Sequence, residues 1–125
     1  MKQIIRFILS LVLLGTLSCH SQNEMVIERI DKATMHAHVI GKNVQLIDVR
    51  TPREFNDGHI DDARNFDLSQ QKVFLEQINT LVKNRPVYLY CTVGARSGYA
   101  AKILKEKGFT KIYDYSGGYY DWVGN

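Results

Sequence analysis

Cysteine and proline are both scarce, two of each in 125 residues. Two cysteines allow at most one disulfide, which excludes a small disulfide-stapled scaffold. Two prolines and nine glycines exclude collagen-like and Pro/Gly-rich disordered chains. The chain also lacks an excess of charge of one sign. Its net charge is +3, from 16 Lys and Arg against 13 Asp and Glu, and two of those positive charges are Lys2 and Arg6 near the N-terminus. The near-neutral remainder has no basic stripe of the kind that nucleic-acid binding needs, so no nucleic-acid partner is expected. Internal repeats and low-complexity stretches are lacking too. What is present, 45% hydrophobic and 23% charged residues, suits one small globular domain.

The first residues differ from the rest. Lys2 and Arg6 form a positive start, and Phe7 to Leu17 is an uncharged apolar run. Gly15, Thr16 and Ser18 are small residues before Cys19. This is the pattern of a secretory signal, and the run is short for a membrane span. A buried first helix of the domain would carry its apolar residues on one face, whereas this run is apolar all round. We therefore expect residues 1–18 to be a signal peptide, 19–25 a polar tether and 26–125 the domain. Small Ser18 directly before Cys19 resembles the lipobox of bacterial lipoproteins, with Thr16 where that pattern usually has Leu. The resemblance implies a lipidated Cys19 and an exported, periplasmic domain that meets a membrane only through its lipid anchor. Ordinary cleavage before Cys19, giving a secreted form, and an uncleaved anchor are the alternatives. With Cys19 lipidated, Cys91 is left as a lone free thiol in an exported domain.

The body alternates between strand and helix patterns. Met25 to Ile27 reads as a short first strand. Ile30, Ala33, Ala37 and Ile40 recur at helical spacing, with Gly41 ending that helix. Val44 to Val49 is a β-rich run. Thr51 followed by Pro52 reads as a helix cap and first helical position. Ala63 to Leu68 is a short strand. Val73, Phe74, Ile78, Leu81 and Val82 form the stripe of a helix that reaches Asn84 and Pro86. Val87 to Tyr90 is a nearly continuous β run. Ala100, Ile103 and Leu104 mark a further helix, with Gly108 just past its end and Phe109 folding back. Lys111 to Tyr115 is the last strand, and Tyr119 to Val123 a closing helical turn. The expected fold is α/β, a mostly parallel sheet with helices on both faces. Such sheets bind ligands at the carboxyl ends of their strands, and the Val87–Tyr90 strand ends at Cys91.

The segment Cys91-Thr92-Val93-Gly94-Ala95-Arg96-Ser97 lies between that strand and a helix expected to begin near Ser97. Three features there favour a thiolate. The helix points its positive end at the loop, consecutive backbone N–H groups can form an anion nest, and Arg96 adds a full positive charge. Gly94 permits backbone angles other residues resist. The alternative is a buried structural cysteine at a strand end.

These residues resemble the rhodanese sulfurtransferases. Cys91 to Arg96 matches that family's active-site loop, Cys-x-x-Gly-x-Arg. Leu46-Ile47-Asp48-Val49-Arg50, Pro52-Arg53-Glu54-Phe55 and Gly58-His59-Ile60 resemble its N-terminal signature, with Asp62 where the family often has Gly. Gly117-Gly118 and Trp122 resemble its C-terminal signature. The match spans roughly residues 27–124 and implies a single rhodanese-like domain. It also implies that Cys91 takes a sulfane sulfur from a small donor anion as a persulfide and passes it to a thiol or cyanide. The backbone from Thr92 to Ser97 would cradle that persulfide, and Arg96 would attract the donor. No metal or organic cofactor is implied. The residue after the cysteine, Thr92, is basic in many thiosulfate-using members.

Other functions of this loop are weighed by its geometry and chemistry. The related cell-cycle phosphatases place five residues between Cys and Arg, and four stand here, a smaller loop that suits a persulfide sulfur better than a phosphate. A non-catalytic scaffold is the other alternative; such modules often lack the cysteine, which this chain keeps. Asp48, Arg50 and Arg53 read as an ion-paired structural group, with substrate support as the alternative. His59 reads as a turn histidine. His36 and His38 diverge on a helix and make no metal site. The tyrosines and Trp122 read as core or rim, with a pocket wall of Tyr119, Tyr120 and Trp122 as the alternative. A monomer is expected. For the N-terminus, mass spectrometry of the native protein should find a chain beginning at a lipid-modified Cys19. An unmodified Cys19 or His20 in a soluble form would refute lipidation and keep export; an intact Met1 would refute both.

Overall fold

The computed structural model describes residues 26–124. Five parallel strands form one sheet: β1 (Ile27–Ile30), β2 (Gln45–Asp48), β3 (Arg64–Asn65), β4 (Val87–Tyr90) and β5 (Ile112–Tyr115). Their order across the sheet is β1-β5-β4-β2-β3. Among these residues four helices connect the strands, α1 (Lys32–His38), α2 (Pro52–Asn56), α3 (Gln71–Ile78) and α4 (Ala95–Glu106), and α5 (Gly118–Val123) follows β5. Among the described residues no helix is long and apolar enough to cross a membrane. The expected signal and tether, residues 1–18 and 19–25, lie outside the described residues.

Helices cover both faces, as the alternation of elements implied. On one face Phe74 and Ile78 of α3 and Ala100, Ala101 and Leu104 of α4 pack under Ile47, Val87, Leu89 and Ile112. On the other, Met35 and Val39 pack with Ile60 against Leu46, Tyr88 and Tyr90, joined by Tyr119 and Trp122 of α5. β2 and β4 are therefore buried at every position. This explains why Val87–Tyr90 reads as a nearly continuous β run rather than as an alternating strand.

Several element boundaries differ from the sequence reading. The first strand is Ile27–Ile30, not Met25–Ile27, so Ile30 belongs to a strand. Asp31 caps α1 by accepting from the Thr34 N–H at 2.9 Å, which starts the helix at Lys32. Its buried residues are Met35 and Val39, while Ala33 and Ala37 are exposed: the larger apolar side chains take the core. The stripe after Val73 ends at Ile78, short of Pro86. Gln45 holds the following segment out of helix. Its Oε1 accepts from Val82 N–H at 2.7 Å, and its Nε2 donates to the carbonyls of Val82, Arg85 and Pro86. Val82 in that segment is exposed, as is Val73 on α3. The strand expected over Ala63–Leu68 pairs only at Arg64 and Asn65.

Two local signals form as read. Thr51 caps α2 with Pro52 in its first turn, and Glu54 completes a capping box. At the end of α4 the Gly108 N–H donates to Lys105 O and the Phe109 N–H to Leu104 O, the paired bonds of a Schellman turn.

Asp48 and Arg50 join the layers at the carboxyl end of β2. Arg50 Nη2 donates to Asp48 Oδ2 at 2.7 Å and to the Gly58 carbonyl at 2.7 Å. The guanidinium lies over the Tyr119 ring at 4.3 Å. Both residues are buried, 0% and 3% exposed. Arg53 is exposed on α2 and stands outside this pair, which corrects the expectation of a three-member group. A buried guanidinium robbed of its carboxylate is strongly destabilising. Asp48→Ala should therefore lower the unfolding free energy by about 3–5 kcal/mol, read as a fall in the urea midpoint at unchanged slope.

Candidate active site

β4 delivers Cys91 to the carboxyl edge of the sheet, and the chain turns at once into α4. The turn is made by Gly94, whose φ of +96° is costly for a residue with a Cβ. A Cβ there would also meet the Ser116 carbonyl oxygen at 2.6 Å. The helix begins at Ala95, two residues earlier than expected, because Gly94 completes the reversal by itself.

A second glycine sets the direction of the peptide groups. Gly118 opens α5 at φ +67°, and a Cβ on it would lie 2.5 Å from the carbonyl oxygens of both Cys91 and Thr92. Those carbonyls are turned outward to α5, accepting from the N–H groups of Tyr119 at 2.8 Å and Tyr120 at 3.1 Å. The N–H groups that follow are left facing the sulfur. Gly94 N–H donates to Cys91 Sγ at 3.1 Å, and the Cys91 thiol donates to Ser97 Oγ at 3.6 Å. Cys91 is 1% exposed. Burial pushes its pKa up, but the backbone N–H and hydroxyl of Ser97, with the N–H groups of Gly94 and Val93, outweigh burial and hold the thiol below its ordinary value. A buried thiol beneath a loop of backbone donors can serve chemically as a thiolate nucleophile.

With this geometry in view, comparison with known proteins is decisive. The family model described as "Rhodanese-like domain" matches residues 31–125. The chain belongs to the rhodanese-like domain family. Similar proteins include the uncharacterised protein YqhL of Bacillus subtilis, 49% identical over 83 residues, covering 66% of this chain and 64% of that protein. The thiosulfate sulfurtransferase GlpE of Shewanella oneidensis is 37% identical over 81 residues, covering 65% and 77%. Among solved structures, a rhodanese-related protein from Thermoplasma volcanium superposes with a TM-score of 0.66 at 27% identity, covering 77% of this chain and 90% of that one. The chain thus spans just under two thirds of YqhL.

Within this rhodanese-like domain the loop residues expected from sequence converge, but Arg96 does not stand free. Its Nη1 and Nη2 donate to Glu54 Oε1 and Oε2 at 2.7 and 2.9 Å, and Nη2 also reaches Thr92 Oγ1 at 3.0 Å. Thr92 Oγ1 in turn donates to Glu54 Oε2 at 3.0 Å. The expected full positive charge at the loop is therefore compensated by a carboxylate, and backbone donors lower the thiol pKa. Val93, 65% exposed, tops the loop, and Ala95 is exposed beside it.

Glu54 was legible only as part of the α2 signature. Its contact with Arg96 spans 42 residues, so no local pattern announces it. Thr51-x-x-Glu54 was nevertheless a capping box in plain sight. Of the aromatic residues, Tyr119 packs on Arg50 and Tyr120 is exposed. Trp122 stacks on His36 at 4.7 Å, a core or rim role as expected, because it lies on the α1 side of α5. His59 stacks on Phe55 at 3.9 Å, a turn role. A surface cavity of 570 Å³, lined by Asp31, His38, Tyr88 and Tyr113 among others, does not include Cys91.

Arg96, Thr92 and Thr51 all hold the Glu54 carboxyl well below the usual carboxylate range, with the Arg96 hydrogen bonds the largest influence. A carboxylate with a depressed folded pKa stabilises the fold above its ordinary value and loses that contribution as pH falls through the folded value. Both partners are about a third exposed, so screening limits the effect to about 1 kcal/mol. The stability gap between wild type and Glu54→Gln should be widest at neutral pH and narrow steadily as pH falls below about 5, as followed by urea unfolding. A gap that persists unchanged into acid would refute this role for the Glu54 charge.

Proposed function

We propose that the protein is a sulfurtransferase that carries a sulfane sulfur as a Cys91 persulfide. The observation that carries this reading is the Cys91 thiol, buried at a strand-to-helix turn and activated by backbone N–H groups and Ser97. The thiolate attacks the outer sulfur of a donor such as thiosulfate or a persulfide. A new S–S bond forms, the donor's S–S bond breaks, and its electron pair leaves with sulfite or a thiolate. The loop's N–H groups then face the persulfide anion. An acceptor thiolate or cyanide attacks the terminal sulfur and returns Cys91 as a thiolate. The Glu54–Arg96 pair keeps the loop shaped and leaves its backbone donors, more than a free cation, to meet the anionic donor. In the same reading, export through residues 1–18 and lipidation of Cys19 place this chemistry at a membrane surface.

Cys91→Ser should retain the fold, judged by an unchanged far-UV spectrum and melting profile, and lose sulfur transfer from thiosulfate and from glutathione persulfide to cyanide. Intact mass of the wild type after donor treatment should show one added sulfur, absent from the variant. Transfer above background by Cys91→Ser would refute the assignment.

A further inference from the structure

One buried carboxyl stands behind the active-site loop. Asp114 on β5 is 3% exposed, and its Oδ1 has no hydrogen-bond partner among the described residues. From α4, Ser97 interacts with this carboxyl, and the same hydroxyl faces the Cys91 sulfur of β4 at 3.6 Å. From β1, Arg29 stands in register with Asp114, and its positive charge favours the ionised form. Tyr99 and Lys102 of α4 line, with Arg29 and Asp114, an open cavity of about 370 Å³ that does not include Cys91. Burial pushes the Asp114 pKa up, and Ser97 and Arg29 offset this only in part. Cys91 is shifted the other way.

A buried carboxylate with an unpartnered oxygen is costly, and the neutral acid far less so. Two anions bridged by one hydroxyl repel, so ionising one disfavours ionising the other. We propose that Asp114 is a positioning residue that holds the proton displaced from Cys91, with the Ser97 hydroxyl as the bridge. The Cys91 S–H bond breaks and its proton passes to Ser97 Oγ, while the Ser97 proton passes to an Asp114 carboxylate oxygen. The electron pair stays on sulfur. Thiol and carboxylate become thiolate and carboxylic acid, with no change in net charge and no oxidant. The present donor bond of Ser97 Oγ to Gly94 O is long, 3.3 Å, so the hydroxyl is free to be redirected. The persulfide anion carries the same charge as the thiolate, and Asp114 stays protonated beside it. This last point rests on the sulfur-transfer reading; the proton exchange itself does not.

The test is the pH dependence of Cys91 alkylation by iodoacetamide, which needs no sulfur donor and so holds or fails separately from sulfur transfer. When two groups share one proton, the thiolate fraction becomes independent of pH between their two titrations. The wild-type rate should therefore show a plateau between two titrations. Asp114→Asn should instead fall about tenfold per pH unit below its single midpoint. Identical, single-midpoint profiles in both proteins would overturn the proposal. Should Asp114→Asn not fold, carbon-13 NMR of labelled aspartate decides with folded proteins. The Asp114 carboxyl should titrate at least about one pH unit higher in wild type persulfidated with inorganic polysulfide than in Cys91→Ser. Equal midpoints would overturn the proposal.

Discussion

The site depends on a backbone contact between two loops. The carbonyls of Cys91 and Thr92 are bonded by the first N–H groups of α5, and this is possible only because Gly118 carries no Cβ where those oxygens lie. Peptide planes are rigid, so turning the Thr92 carbonyl outward turns the Val93 N–H of the same peptide toward the sulfur. Without that contact the Cys91 loop would be a short connection with polar groups in arbitrary directions. α5 is itself anchored: the Tyr115 hydroxyl donates to Asp121 Oδ2, and Lys32 Nζ donates to the carbonyls of Asp121 and Gly124 at 3.1 and 2.9 Å. The orientation of donors at the sulfur is thus transmitted from α1 and β5 through α5.

The second organising feature is the economy of charge around the loop. Glu54 closes the cap of α2 and grips Arg96 with both oxygens. Asp48 likewise engages Arg50. Each cation is thereby matched by a carboxylate from an element adjacent to the loop, and the sulfur is surrounded by dipoles rather than free charges. Dipoles fixed by backbone hydrogen bonds stabilise a developing anion without having to reorganise. Asp114 differs from both acids: among the described residues it forms no salt bridge, and Ser97, which interacts with it, is also the residue facing the thiol. That difference is what makes it a candidate for holding a proton rather than a charge.

Much of this was legible in the sequence, and the portion that was not has physical causes. The runs of β2 and β4, the Thr51–Pro52 start and the Gly108 end are local signals, in which steric limits and capping bonds act within a few residues. They formed close to where they were read. The helix over Lys32–His38 was misread because spacing cannot tell which of two apolar pairs, Ala33 with Ala37 or Met35 with Val39, meets the sheet. The helix ending at Ile78 was read too long because Gln45, more than thirty residues away, claims the backbone of Val82.

The sequence by itself determined an α/β chain with a lone domain thiol at the carboxyl end of a buried strand, inside a Cys-x-x-Gly-x-Arg loop. Hydrophobic pattern, turn residues and motif spacing are properties of neighbours along the chain, and these suffice to place Cys91. Only the tertiary structure decided what surrounds it. Arg96 bonds a carboxylate 42 residues away, Gly118 orients the loop from beyond β5, and Asp114 comes behind Ser97 because β5 lies beside β4. Electrostatics and hydrogen bonding act through space at a few ångströms, and that proximity is created by the order of strands in the sheet.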